Sequence, residues 1–390
     1  MAVRYARKED KAQVKALWQY AFNETESFTE YFFAKRYREE YNLVIAEEEE
    51  IRASLLLNPY TLRHQLGEES LRYVVGISVW PEYRGVKYTT KLLKAAFEQL
   101  YEQGESLSLL MPIDTGIYRR YGYENCFDME VFEMDLEKIG PKRREGYFFR
   151  RVRSAEDRIL EDVAGVYEKR SRLWQNCLIR DRNYFADFFE EVRQEQGEIL
   201  VCYDGSALPK GYMVFYPKNE GGETGFVREM LVLEAAVYDV FLQLIQSHKT
   251  QIKKVLIHQP EDSLFMDFLG NNNQIRRQKR PFLMARILNL QKLLENLPVC
   301  QETDLTLRVS DPMLPQNDGL FHLTAQGAVR LPEDQGADLA LSIGEMTRLY
   351  MGRLSPDELC FLKGEDWAQE KRRMLRRLFP KKTSYINDYI

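Results

Sequence analysis

The segment GISVWPEYRGVKYTTKLL, Gly76 to Leu93, constrains the fold of this chain more than any other. Apolar alternation through Val79 predicts a strand, and Pro81 stops it. Leu92, Leu93, Ala96, Phe97 and Leu100 then form the stripe of a helix, with Gly104 just beyond its end. Arg84 and Gly85 stand between the two. A strand that feeds a helix through a glycine turn aims unpaired backbone N–H groups at one point, and such a point suits a phosphate.

The surrounding sequence predicts an α/β organisation. KEDKAQVKALWQYAF carries a helical stripe at Val14, Leu17, Trp18 and Ala21. NLVIAEEEEIRASLLLNPYTLRH predicts two strands around a solvated tip at Glu47 to Glu50, and SLSLLMP one more. After the charged stretch KIGPKRREGY the order recurs: strands at GEILVCYD, GYMVFYP and TGFVREMLVL, a helix at AAVYDVFLQLIQSH and a strand at KKVLIHQ. A structural repeat follows as an expectation. A helix at LNLQKLLENL, several strands and two short helices complete the chain. Its last residues, with Tyr385, Ile386, Tyr389 and Ile390, predict an ordered tail because those side chains need burial. The domains are placed at 1–147, 148–289 and 290–390.

Composition removes several classes of function. The 390 residues suffice for two or three cores, and a net charge of −5 argues against a nucleic-acid binder. No run of about 18 apolar residues predicts a membrane span, and MAVRYARKEDKAQ lacks the apolar core of a signal peptide. Cys126, Cys177, Cys202, Cys300 and Cys360 form no CxxC pair, so reduced thiols and a cytoplasmic location are expected. His64, His248, His258 and His322 are not spaced as metal ligands, and His322 reads as a structural strand residue. The expected chemistry uses neither a metal nor a Cys-His nucleophile. Glu24, Glu26, Phe28, Tyr31 and Phe32 are open to two readings, an amine pocket or an ordinary helix face.

ISVWPEYRGVKYTTKLL resembles the acetyl-CoA loop of the GCN5-related N-acetyltransferases (GNAT), with Lys87 and Thr89 where small residues are usual. YRRYGY in MPIDTGIYRRYGYENC is similar to the pattern that closes that domain. With the repeat, the module VSDP…NDGLFHL…ADLALSIGEMTRLYMG and the aromatic tail, the whole chain resembles the Eis (enhanced intracellular survival) family. The resemblance implies an α/β (α+β) fold: tandem GNAT domains with mixed central sheets, the second without a CoA loop, then a sterol-carrier-protein-like domain.

It also implies an acetyl-CoA-dependent N-acetyltransferase acting on a small-molecule or peptide amine, without a metal, as a homo-oligomer, a hexamer. On the matching positions, Ile77, Ser78 and Val79 would bond the pantetheine arm through their backbone. Arg84, Gly85, Val86, Lys87, Tyr88, Thr89 and Thr90 would carry the pyrophosphate, and Ile113 and Asp114 would line the cofactor. Tyr118 would be the general acid, and the terminal carboxylate of Ile390, where the family usually ends in phenylalanine, the base. The rivals are a lipid or sterol carrier with a degenerate acetyltransferase unit and a CoA-sensing scaffold.

Overall fold

The computed structural model describes residues 3–22, 24–217, 222–270 and 275–389. They divide into two units: one holds the residues up to Phe127, Phe282–Lys382 and the chain from Asp388, the other Asp128–Pro281 and Thr383–Asn387. In chain order, β1 (Val3–Tyr5), α1 (Lys11–Ala21) and α2 (Glu26–Tyr31) precede a meander of β2 (Asn42–Glu47), β3 (Glu50–His64) and β4 (Gly67–Val79). Then come α3 (Tyr88–Glu102), β5 (Leu107–Leu110), α4 (Thr115–Arg119) and β6 (Glu124–Asp135). The glutamate run makes the β2–β3 tip, where Glu48 and Glu49 adopt positive φ and face solvent.

The middle of the chain runs β7 (Tyr147–Arg151), α5 (Ile159–Ser171), β8 (Asn176–Leu178), α6 (Arg182–Gln194), β9 (Glu198–Asp204), β10 (Pro209–Tyr216) and β11 (Thr224–Val232). It continues through α7 (Ala236–Gln246), β12 (Lys254–Pro260), α8 (Phe265–Leu269) and β13 (Arg276–Ile287). The C-terminal module is α9 (Leu290–Glu295), β14 (Asp304–Ser310), β15 (Gly319–Thr324), β16 (Gly327–Leu331), β17 (Leu339–Ser342), α10 (Ile343–Tyr350), α11 (Pro356–Lys363) and α12 (Gln369–Leu378). Its sheet has the order β16-β15-β14-β17, and β18 (Ser384–Tyr385) lies in the tail.

The first unit has the strand order β1-β2-β3-β4-β5-β13, and the second β6-β12-β11-β10-β9-β7. In both, an antiparallel hairpin (β3–β4 or β10–β11) leads through a helix to a parallel neighbour (β5 or β12). The strand that closes each sheet is exchanged. β13 pairs antiparallel with β5 from Met284↔Leu110 to Ile287↔Leu107 in the first unit, although it follows β12 in sequence. β6 follows β5 in sequence and pairs with β12 from Pro260↔Met129 to Lys254↔Asp135 in the second. Each unit has its own core: Leu55, Leu93, Phe97, Met284 and Leu314 lie in the first, Phe132, Phe215, Phe241 and Ile257 in the second.

Candidate active site

The site is built where β4 parts from β5. These strands pair only at Arg72↔Ser108, Tyr73↔Leu109 and Val74↔Leu110. Immediately beyond, β4 carries one extra residue against β3: Ser54 faces Ser78 while Leu56 faces Val75, so the bulge falls at Gly76–Ile77. A bulge bends its strand and raises its twist, which turns the end of β4 away from β5. A wedge opens between the two strands. Its walls are uncharged: Phe22, Val74, Ile77, Leu110, Pro112 and Ile113 enclose about 240 Å³, with Tyr118 on the same cleft.

A second, larger groove of about 440 Å³ runs from this wedge to the start of α3. Ile77, Ser78, Val79, Arg84, Gly85, Lys87, Tyr88, Thr89, Thr90, Ile113 and Tyr118 all line it. Sequence reading missed Ala21, Phe22, Tyr83, Ile117, Arg120 and Tyr121 on the same walls. Two expected residues lie off the groove lining. Val86 is exposed on the loop, and the Asp114 carboxylate caps α4 by accepting the Gly116 N–H at 2.7 Å. Ile390 lies outside the described residues.

The loop geometry suits a polyanion. Gly85 has φ of 84°, a conformation that side chains resist. Lys87, at the N-cap of α3, is left-handed (φ 63°, ψ 29°), which costs a non-glycine residue about 1 kcal/mol. The helix amide ladder begins with Lys91 N–H donating to Lys87 C=O at 3.0 Å. The earlier amides of Thr89 and Thr90 therefore have no acceptor within the helix, and Lys87 supplies no side-chain cap. Arg84, Lys87 and Arg120 add positive charge, and among the described residues no carboxylate lines the groove. The Arg120 guanidinium lies 5.1 Å from the centre of the Tyr121 ring, whose hydroxyl is 3.0 Å from Thr90 Oγ1. These are the groups a pyrophosphate needs, and the backbone of Ile77–Val79 borders the path an extended arm would take.

Tyr118 lines both cavities, at their junction. It is 8% exposed, and its hydroxyl has no hydrogen-bond partner among the described residues. Burial, with a smaller contribution from Tyr121, raises its pKa above the ordinary value of 10. The phenol is thus a neutral donor throughout the physiological range.

The aromatic segment before this site is structural. Trp18 stacks on Phe32 at 4.8 Å and donates its indole N–H to Glu24 at 2.8 Å, while Phe28 and Phe32 are buried. Glu24, Glu26, Phe28, Tyr31 and Phe32 line neither cavity. His322, on β15, donates its Nε2–H to the Asp304 carboxylate at 2.8 Å. Among the described residues no His, Cys, Asp or Glu group is gathered as a metal site, and no helix is long and apolar enough to cross a membrane.

The tail is anchored by its own residues. Ser384 and Tyr385 pair with Asn176 and Cys177 of β8 in the second unit, where Tyr385 donates to Glu229 at 2.8 Å. In the first unit Tyr73 donates to the Asp388 carbonyl at 3.3 Å, and Tyr389 packs edge-on against Phe282.

Comparison with known proteins gives this geometry its class. Residues 2–126 and 165–287 each match an acetyltransferase (GNAT) domain, and residues 290–387 match a sterol carrier protein domain. An uncharacterized N-acetyltransferase of Streptomyces avermitilis is 21% identical over 72% of this chain and 71% of its own. One of Streptomyces coelicolor is 22% identical over 72% and 70%. Among solved structures, a GCN5-related N-acetyltransferase from Anabaena variabilis superposes with a TM-score of 0.81 at 20% identity, over 100% of this chain and 99% of its own. Eis1 from Mycobacterium abscessus gives 0.76 at 13% identity, over the whole of both chains. The chain is therefore two GNAT domains followed by a sterol-carrier-like domain, and it is an acetyltransferase. A GNAT fold implies acetyl-CoA as the donor.

Proposed function

We propose that the chain transfers acetyl from acetyl-CoA to a primary amine at the junction marked by Tyr118, in the manner of the Eis enzymes. One observation carries this reading. The first turn of α3, with the amides of Thr89 and Thr90, the open edge of β4 beyond Val74 and the phenol of Tyr118 lie along one continuous wall in the first unit. Tyr88, Thr89 and Thr90 hold the pyrophosphate with Arg84 and Lys87, and Ile77–Val79 orient the pantetheine arm. Acetyl-CoA supplies an already activated acyl group, so an amine takes it by direct attack and no protein nucleophile is needed. Tyr118 donates its proton to the departing thiolate. The terminal carboxylate of Ile390 accepts the proton from the amine. The acceptor is a small molecule or a peptide, of polyamine, aminoglycoside or lysine type.

The test is kinetic. Tyr118→Phe keeps the ring and removes the proton, so kcat should fall by about 10- to 1000-fold with acetyl-CoA affinity unchanged. Native turnover in that variant would reject the donor role. Turnover of polyamines, aminoglycosides and lysine peptides with acetyl-CoA then names the acceptor.

A further inference from the structure

The turn that carries Tyr118 is held by a charge that the chemistry above does not use. Tyr121 and Tyr123 donate their amides to the Tyr118 carbonyl at 3.0 and 3.4 Å, closing the turn at its start. On the far side, the carbonyl of Tyr121 accepts from Nη1 of Arg286. Arg286 is fully buried on β13, and its Nη2 meets both carboxylate oxygens of Asp311 at 2.8 and 2.7 Å. Asp311 is itself fixed, accepting the amides of Met313 and Leu314 and the side chain of Asn317. Gly122 explains the close approach: a Cβ there would lie 1.8 Å from Nη1 of Arg286. The guanidinium also lies 4.4 Å from the centre of the Phe97 ring, on the helix whose first turn faces the groove.

A buried ion pair adds little stability over apolar side chains of similar volume, because desolvating both charges offsets their attraction. What it supplies is geometry: a planar, multiply bonded fork that locks one backbone carbonyl. We propose that Arg286 and Asp311 are positioning residues for acyl transfer. Through them the sterol-carrier-like module fixes the Tyr118–Gly122 turn and with it the phenol. This rests on the reading of Tyr118 as the proton donor.

The test is the paired variant Arg286→Gln/Asp311→Asn, which removes both charges together and leaves neither stranded. It should fold and bind acetyl-CoA with native affinity while kcat falls about 10²-fold, the scale of a misplaced catalytic group. A loosened turn also admits water to the phenol, so the alkaline limb of kcat should move down toward pH 10. In a Tyr118→Phe background the same pair should cost less than about 3-fold, because the group being positioned is gone. Native kcat in the folded pair, or an undiminished loss in the Tyr118→Phe background, overturns the proposal. If the pair does not fold, Arg286→Lys, which keeps the charge on Asp311 but cannot also reach the Tyr121 carbonyl as a fork, is read by the same criteria. Native turnover of Tyr118→Phe by itself would instead overturn the reading on which the proposal rests.

Discussion

The two acetyltransferase units share one plan and treat the end of the bulged strand in opposite ways. In the first, β4 leaves β5 after Val74 and borders an open groove. In the second, β11 leaves β12 after Val227, with an extra residue at Arg228, and the chain closes the gap with its own side chains. Asn387 Nδ2 donates to the Arg228 carbonyl at 2.6 Å, and Gln259 Nε2 to the Met230 carbonyl at 3.1 Å. Glu229 is held by Arg180, Tyr212 and Tyr385 at 2.9, 2.5 and 2.8 Å. The helix starts differ as well. No glycine precedes α7; Glu234 stands there and binds Tyr147 and Lys210. A carboxylate at a helix N-terminus takes the place a phosphate would otherwise occupy. One fold therefore leaves an open groove or makes a packed scaffold according to what fills its parted strands.

The largest effect should come from moving that carboxylate. Thr89→Glu places an acid in the first turn of α3, on the groove proposed for the pyrophosphate. Repulsion at about 4 Å in a surface dielectric should weaken CoA binding on the order of 1000-fold. The converse change, Glu234→Gln, should create no second site, because the strand edge behind it remains filled. Calorimetry of both variants decides the matter. Native affinity in the first, or two CoA molecules per chain in the second, would break the comparison.

Much of this was legible in the sequence because it is local. The strand, turn and helix around Arg84–Gly85 follow from periodicity and a single glycine, and all but one of the loop residues meet on the groove. Long-range pairing was not legible. Sequence reading assigned no strand to Glu124–Asp135 or Arg276–Ile287, and periodicity does not say which sheet a strand joins; these two change places. Arg286 was missed for the same reason. Its signal was a lone arginine in the apolar run PFLMARILNL, which implies a buried charge with a distant partner. The role of Phe22 was hidden too, since an aromatic residue at a helix end reads as core until the neighbouring wedge is known.

The next effect falls on stability, and only in the filled unit. Tyr385→Phe removes a buried donor from Glu229 and leaves its pairing with Arg180 and Tyr212. The loss should be about 1–3 kcal/mol, the cost of an unmet buried acceptor site. Denaturant unfolding measures it, and acetyl-CoA affinity should not change. A comparable loss of affinity would show that the scaffold unit acts on the groove.

The smallest and most discriminating effect is a difference in sign with pH. In the first unit burial, with Glu69 adding to it, pushes the Glu105 carboxyl up to about 7 against the pull of Arg72. The folded state therefore binds more protons than the unfolded one between its ordinary value of 4.5 and about 7, and stability falls as pH rises through that window. In the second unit burial, helped by Arg280 and Arg228, lowers His258 to about 4. There the unfolded state binds more protons between about 4 and the ordinary 6.5, so stability rises with pH. Hydrogen exchange, corrected for intrinsic rates and followed between pH 4.5 and 6.5, should show protection decreasing in the first unit and increasing in the second. Glu105→Gln should flatten the first trend alone, and His258→Phe the second alone. Parallel trends in the native protein, or a response of both units to either change, would mean that the two respond to pH as one cooperative body and that the contrast between them stops at the binding groove.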